Sequence, residues 1–216
     1  MNRRRVLLAN ISLVAACALV YELALSTLAS FTLGDAVREF SITLGLYLFA
    51  MGLGALASQR VRKDLIRAYV VCELALALTG AASVPVVMHV GGGSQRALLY
   101  GFILAVGTLV GVELPLLIRL QKEESGAGDA VSSSLASDYA GSLIASVLFP
   151  LLAVPVLGLV RTALLTGAVN AALAAAVCFV VLPRERGALA VPACVVSVLL
   201  LGLTIGTDAL HLVPSE

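Results

Sequence analysis

Charged residues are scarce in this sequence of 216 residues, and their scarcity excludes most soluble folds. Only 12% of the residues are charged and 60% are hydrophobic, whereas soluble domains carry about 25% charged residues. The mean hydropathy of +1.05 points the same way. The formal net charge is +1, so no overall electrostatic field attracts nucleic acid. We therefore expect the lipid bilayer to be the main partner of this chain, with no nucleic acid bound.

Closely spaced residues for redox, metal or cofactor chemistry are also missing. His89 and His211 have no second ligand at metal-binding spacing. The run Gly91-Gly92-Gly93 is followed by no acidic residue before Glu113, which argues against a nucleotide-binding loop. Cysteines at four distant positions exclude a C-x-x-C pair and are predicted to be small buried hydrophobes: Cys17, Cys72, Cys178 and Cys194. We expect no metal, no cofactor and no catalytic residue.

Long apolar runs make up most of the sequence. A membrane helix needs about 20 mostly apolar residues, and these runs are too long and continuous for barrel strands. Seven runs meet this condition, at residues 6–33, 41–59, 67–90, 96–119, 134–157, 160–182 and 188–208. The first continues too far past Arg5 to be a cleaved signal peptide. The sequence thus predicts an all-α, polytopic transmembrane helix bundle of about seven spans, forming one domain over residues 1–216 with no soluble domain.

Basic residues predict the orientation of this bundle, because Lys and Arg in the connections are retained on the cytoplasmic side. With a cytoplasmic N-terminus, one side collects Arg3, Arg4, Arg5, Arg60, Arg62, Lys63, Arg67, Arg119, Lys122, Arg184 and Arg186. The other side keeps Arg38, Arg96 and Arg161. We expect a multi-pass protein of the plasma (inner) membrane with its N-terminus inside. The polar stretch 121–134 is predicted to be a flexible cytoplasmic linker.

Small residues recur at a spacing of four in two of the runs. The second run has Ala50, Gly54 and Ser58, and the sixth has Gly167, Ala171 and Ala175. This spacing lets neighbouring helices approach closely. We expect tight helix packing at both places.

Acidic residues inside the apolar runs are the main candidates for function. Each of Glu22, Glu73, Glu113 and Asp138 would cost roughly 2.5 to 3.5 kcal/mol at the bilayer centre, so they must face the bundle interior. At about 1.5 Å of rise per residue, the last three lie about 6 to 9 Å below the cytoplasmic boundary. Three helices then present carboxyls at one level. Pro115 should weaken the helix beside Glu113.

Two interpretations of these acids remain open. In the functional one, the carboxyls form a cation or proton site, and the candidate substrate-binding residues are Glu22, Asp35, Glu73, Glu113, Asp138 and Tyr139. In the structural one, each acid hydrogen-bonds a donor on a neighbouring helix and locks the bundle together, the candidate partners being Tyr21, Tyr139, Ser137, Ser142 and Asn170.

Several short motifs resemble one family of proteins. They occur in this order: Tyr21-Glu22-Leu23, Leu33-Gly34-Asp35, Gly45 to Gly54, Val112 to Leu117, Asp138-Tyr139-Ala140-Gly141-Ser142 and Gly158 to Ala163. Together they resemble the N-terminal multi-pass membrane region of the long, membrane-attached spermidine synthase-like proteins, the polyamine aminopropyltransferases. The resemblance covers about residues 6–208.

The resemblance implies a division of labour in the longer family members. Their membrane region is followed by a soluble aminopropyltransferase domain of methyltransferase-like fold, which uses decarboxylated S-adenosylmethionine, putrescine and paired aspartates. That domain has no counterpart here, so no catalytic residue carries over and we do not expect the chain to be an enzyme by itself. The positions that match are Glu22, Asp35, Glu113 and Asp138.

These observations lead to a principal hypothesis and its alternatives. The chain is predicted to be a membrane module that anchors an aminopropyltransferase or binds and conducts a cationic amine such as a polyamine. One alternative is a membrane scaffold with purely structural acids, which recruits a separately encoded soluble aminopropyltransferase. Another is a proton-coupled transporter of small solutes.

Overall fold

The computed structural model describes residues 3–90, 92–122, 126–181 and 189–207, and within these ranges it contains helices and no strand. The helices are α1 (Arg3–Leu33), α2 (Ala36–Ser58), α3 (Leu65–His89), α4 (Ser94–Lys122), α5 (Ala127–Leu148), a π-helical turn (Phe149–Ala153), α6 (Val154–Val181) and α7 (Ala190–Ile205). The all-α prediction is confirmed for these ranges. The predictions for Arg184, Arg186 and His211 lie outside the described residues.

Five helical stretches are long and apolar enough to cross a membrane. They are Arg4–Leu33, Ala36–Ser58, Leu65–His89, Ser94–Lys122 and the continuous stretch Ala127–Phe179, and Ala190–Ile205 is a shorter apolar helix. These stretches support a membrane protein. The count of about seven spans and the cytoplasmic N-terminus stay predictions.

Gly158 divides the longest helical stretch. Its φ of 72° and ψ of 169° are not helical, and glycine adopts this conformation without the penalty of a Cβ atom. The Thr162 hydroxyl, one turn further on, donates to the carbonyl oxygen of Gly158 at 2.7 Å. The break lies between the fifth and sixth predicted spans. The helical stretch is therefore kinked at Gly158, within the connection predicted between residues 157 and 160.

Small residues bring α2 and α4 into close contact. A Cβ atom on Gly54 would collide with the carbonyl oxygen of Thr108, and one on Gly111 would collide with the backbone of Met51. Gly167 of α6 meets the backbone of α3 in the same way. Both predictions of tight packing are confirmed. Backbone approaches of this kind are typical of helix packing in membranes.

The contacts between helices show that α2 and α4 run parallel. Near the start of both helices, the Tyr100 hydroxyl donates to Oε2 of Glu39 at 2.6 Å. Near the end of both, the Arg119 guanidinium donates to the carbonyl oxygen of Ser58 at 2.9 Å. Helices α1 and α3 run parallel to each other, since Tyr69 of α3 contacts Asn10 of α1 and Gly80 lies against Tyr21. They run opposite to α2, because Ser30 near the end of α1 contacts Ala36 at the start of α2, whereas Ala18 contacts Tyr47 further along it.

This arrangement separates the basic residues between two ends of the bundle. The first, called the basic end, holds the described residues Arg4, Arg5, Arg60, Arg62, Lys63, Arg67, Arg119 and Lys122. The second, called the Glu39 end, holds Arg38, Arg96 and Arg161. The two groups are the ones that the sequence assigned to opposite sides. Which side each end faces stays a prediction.

The predicted flexible linker at 121–134 is wrong for most of its described residues. Helix α5 begins at Ala127. The Gln121 side chain is buried, its Oε1 accepts a hydrogen bond from the Ser134 hydroxyl at 2.7 Å, and its Nε2 donates to Ser133 Oγ at 2.8 Å. The serine-rich composition is typical of linkers, but small residues also suit close helix packing. Residues 123–125 lie outside the described part of the chain.

One cysteine also differs from its prediction. Cys17, Cys72 and Cys178 are buried and free, whereas Cys194 on α7 is exposed. Helix α7 contacts α3 and α6 along one face only, and the side chains of Val195 and Val198 are exposed as well. Cys194 therefore lies on an outward apolar face.

Candidate functional site: a buried carboxyl cluster

Two glutamates from neighbouring helices meet in the bundle interior. Glu73 of α3 is 0% exposed and Glu113 of α4 is 1% exposed. Their carboxyls are close enough to influence each other's ionisation. No described Lys, Arg or His side chain pairs with either of them. Helix α4 continues without a break through Pro115, so Glu113 stands on a regular helix.

Apart from the contact between the two carboxyls themselves, three oxygens of this pair have no hydrogen-bond partner among the described residues. They are Oε2 of Glu73 and both carboxyl oxygens of Glu113. Buried polar atoms in proteins are nearly always hydrogen-bonded, and an unpaired one costs about 1 to 3 kcal/mol or more if charged. The pair thus has unused capacity to accept hydrogen bonds.

The remaining oxygen of the pair belongs to a hydrogen-bonded chain. The Tyr69 hydroxyl lies 2.9 Å from Oε1 of Glu73 and 2.8 Å from Oδ1 of Asn10 on α1. A hydroxyl has a single proton and can donate to one of these oxygens only. The other contact requires a proton on Glu73 or a donating amide group on Asn10. The chain can therefore exist with its hydrogen bonds pointing in either direction.

Asp138 approaches Glu113 across a small cavity. Helix α5 packs tightly on α1, since a Cβ atom on Gly141 would collide with the carbonyl oxygen of Ser12. Glu113 and the half-buried Asp138 line a cavity of about 50 Å³. The rest of the lining is apolar: Ile11, Val14, Ala15, Ala18, Met51, Val110, Leu114 and Leu117. Since a water needs roughly 10 to 15 Å³, the cavity has room for a few waters or one ammonium group.

Two buried tyrosines cover the cluster on the side of the Glu39 end. The Tyr21 side chain is fully buried against Gly80, and its hydroxyl has no partner among the described residues. The Tyr47 hydroxyl donates to the carbonyl oxygen of Ala18 at 3.0 Å. Both rings lie near enough to Glu113 to interact with it electrostatically. They separate the carboxyls from the Glu39 end of the bundle.

The other sequence-predicted site residues lie outside the cavity. Glu22 is half-buried near Tyr47. Asp35 is exposed and caps α2, where its carboxylate accepts a hydrogen bond from the backbone N–H of Arg38 at 3.0 Å. Tyr139 is 68% exposed on the outer face of α5. The structure brings together Glu73, Glu113 and Asp138, but neither Asp35 nor Tyr139 joins them.

Sequence reasoning missed Asn10, Tyr69 and Tyr47 as neighbours of the acids. The spacing of four between Tyr69 and Glu73 places them on one helix face and was a usable signal. Asn10 is an isolated amide in the first apolar run, and this isolation was a weaker signal.

A third buried acid, Glu39, was not among the predicted site residues, and it is fully partnered. Its carboxylate is 1% exposed and accepts hydrogen bonds from Tyr100 at 2.6 Å and from Arg38 at 2.9 Å. Arg96 lies 3.5 Å from the same carboxylate. These partners hold α2 to α4 at the Glu39 end. Glu39 thus has cationic partners, which Glu73 and Glu113 lack among the described residues.

The chain is similar over most of its length to proteins named polyamine aminopropyltransferase. It is 39% identical to the one from Leptospira interrogans over 168 residues, covering 76% of this chain and 34% of the relative. It is 42% identical to polyamine aminopropyltransferase 2 of Streptomyces coelicolor over 185 residues, covering 80% of this chain and 33% of the relative. It is 36% identical to polyamine aminopropyltransferase 1 of the same species over 210 residues, covering 94% of this chain and 39% of the relative.

These matches cover most of this chain but only a minor part of each relative. The chain spans about a third of the length of the curated relatives that it matches. No family model matches the sequence, and no solved structure matches it. That the matching third of the relatives is their membrane region stays a prediction. The chain is therefore a partial-length homologue of polyamine aminopropyltransferases, built from long apolar helices.

Proposed function

We propose that this chain is an integral membrane module of polyamine aminopropyltransferase type, and that its buried carboxyl cluster binds the ammonium group of a cationic amine. The observation that carries the proposal is the cavity between Glu113 and Asp138, where Glu113 is fully buried and, apart from Glu73, has no hydrogen-bond partner among the described residues. A buried carboxylate is stable only with a compensating cation or proton. The names of the homologues point to an amine as that cation.

The hydrogen-bonding capacity of the cluster fits a primary ammonium group. Such a group has three N–H donors and no acceptor. At the cavity, Glu113 offers two carboxyl oxygens that no described residue outside the carboxyl pair hydrogen-bonds, and Asp138 offers its carboxyl from the other side. Hydrogen bonds between charged groups are about twice as strong as neutral ones. An ammonium group in the cavity would satisfy atoms that otherwise have no partner.

The size of the cavity limits what can enter in this conformation. About 50 Å³ accommodates an ammonium group but not a whole polyamine. Asp138 is half-buried at the same cavity and would hold a second ammonium group of the same molecule. The proposed ligand class is therefore a flexible diamine or longer polyamine, bound by one end first.

Equilibrium binding of radiolabelled putrescine to the purified protein in detergent tests this proposal. Removing one partner of a buried charge pair costs about 2 to 5 kcal/mol, so Glu113→Gln should weaken binding by at least about 30-fold. Asp138→Asn should weaken it less, because Asp138 is half-buried. Asp35→Asn is the matched control, since Asn caps a helix as well as Asp. Equal affinity in wild type and Glu113→Gln would refute the site.

A membrane anchor is the second candidate function, and the partial coverage of the homologues favours it. As an anchor, the helices would tether an aminopropyltransferase to the inner membrane, with the basic end in the cytoplasm. The buried acids would then contribute only to helix packing. Co-purification of a soluble aminopropyltransferase with the membrane protein tests the idea. Recovery of the enzyme together with an absence of putrescine binding would favour the anchor over the amine site.

A further inference from the structure

The carboxyl pair poses a charge problem when no amine is bound. Two adjacent buried carboxyls disfavour the doubly charged state, because the charges repel each other and water is largely excluded. Glu113 borders the cavity, which has room to hydrate it. Glu73 does not line that cavity, and it contacts Tyr69 instead. One proton held between the two carboxyls relieves the repulsion.

The hydrogen-bonded chain around Tyr69 accommodates that proton. With Glu73 protonated, its hydroxyl donates to the Tyr69 oxygen and the Tyr69 hydroxyl donates to Oδ1 of Asn10, which accounts for both contacts. With Glu73 ionised, Tyr69 turns its proton toward Glu73 and the Asn10 amide must rotate to donate to Tyr69. The same three side chains thus suit both protonation states.

No cationic side chain in the described part of the chain pairs with either carboxyl. The titratable groups facing it are Cys17 and Tyr21 on α1, Tyr47 on α2, Tyr69 and Cys72 on α3 and, across the cavity, Asp138 on α5. Helix α6 contributes Cys178, which packs in the same apolar cluster as Tyr69. On the Asn10 side, Arg5 lines a surface groove together with Asn10.

We propose that binding of an ammonium group at Glu113 expels the proton held by the Glu73–Glu113 pair, so that the module exchanges one proton for one cationic amine. This inference rests on the proposed function. An O–H bond of the carboxyl pair breaks, its proton passes to water at the cavity mouth, and the ammonium group donates its N–H groups to the Glu113 carboxylate. One positive charge replaces another, so the net charge buried in the bundle does not change. Asp138, half-buried at the mouth, is the group placed to pass the proton outward.

The test is the number of protons released when putrescine binds. Calorimetry of the whole protein in detergent, in two buffers with different ionisation enthalpies, measures this number directly. Wild type should release about one proton per putrescine, and its affinity should rise about tenfold per pH unit between about pH 5 and 8. Asp35→Asn should behave as wild type. Glu73→Gln mimics the protonated acid, so it should bind putrescine with no proton release and no pH dependence.

The outcomes separate this inference from the proposed function. Putrescine binding to wild type without proton release overturns the exchange and leaves the amine site standing. Proton release that persists in Glu73→Gln overturns the assignment of the proton to the carboxyl pair. An absence of binding to wild type at every pH overturns the amine site, and the exchange with it. If Glu73→Gln does not fold, infrared difference spectra of the wild-type protein test the exchange instead. We expect the carboxylic-acid C=O band to be lost when putrescine is added. An unchanged band would contradict the exchange.

Discussion

Replacing Gly111 by alanine should destabilise the protein more than its single methyl group suggests. The added Cβ atom would collide with the backbone of Met51 on α2. A side chain can rotate away from such a collision, but two helix backbones must separate to relieve it. Overpacking costs typically 1 to 3 kcal/mol of stability. Because the neighbouring group is helix backbone and cannot rotate away, we expect a cost of about 3 kcal/mol for Gly111→Ala. The free energy of unfolding should fall by that amount.

Gly101→Ala provides a matched control on the same helix. Nothing lies within 4 Å of a Cβ atom built at Gly101, and alanine is favoured over glycine inside a helix by roughly 0.5 to 1 kcal/mol. This variant should therefore be unchanged or slightly more stable. The two substitutions add the same methyl group to α4, yet their unfolding free energies should differ by about 4 kcal/mol.

Denaturant titration in mixed detergent micelles, followed by circular dichroism, measures both variants. Displacement of α4 would also move Glu113, which lies two residues after Gly111, so putrescine affinity should fall in Gly111→Ala but not in Gly101→Ala. Equal unfolding midpoints for the two variants would show that α2 and α4 do not pack backbone to backbone, and would remove the basis for the cluster geometry.

Two further substitutions test the interior polar contacts. Tyr21→Phe removes a buried hydroxyl that has no partner among the described residues. The free energy of unfolding, measured by the same denaturant titration, should therefore stay unchanged or rise slightly. A loss above about 1 kcal/mol would reveal a partner for this hydroxyl. Gln121→Ala leaves the buried Ser134 hydroxyl without its acceptor, and should cost about 1 to 3 kcal/mol. A cost near zero would mean that 121–134 is the flexible linker that its composition indicated.

The amino-acid sequence by itself determined the helical class of this protein. Apolar runs of about 20 residues leave the backbone no water to bond, so each run must satisfy its N–H and C=O groups internally as a helix. The same reasoning places Glu73, Glu113 and Asp138 toward the interior, because lipid exposure of a carboxyl is costly. These conclusions follow from single segments and need no knowledge of neighbours.

Only the tertiary structure decided which of the acids meet. Sequence spacing put three carboxyls at one level, but it could not distinguish the partnered Glu39 from the unpartnered Glu113, because their partners lie on other helices. Close contacts at glycines far apart in the chain set the pairing of helices, as Gly54 does for α2 with α4 and Gly141 for α5 with α1. Which helices pair depends on shape complementarity between distant segments, and the periodicity within one segment carries no record of it.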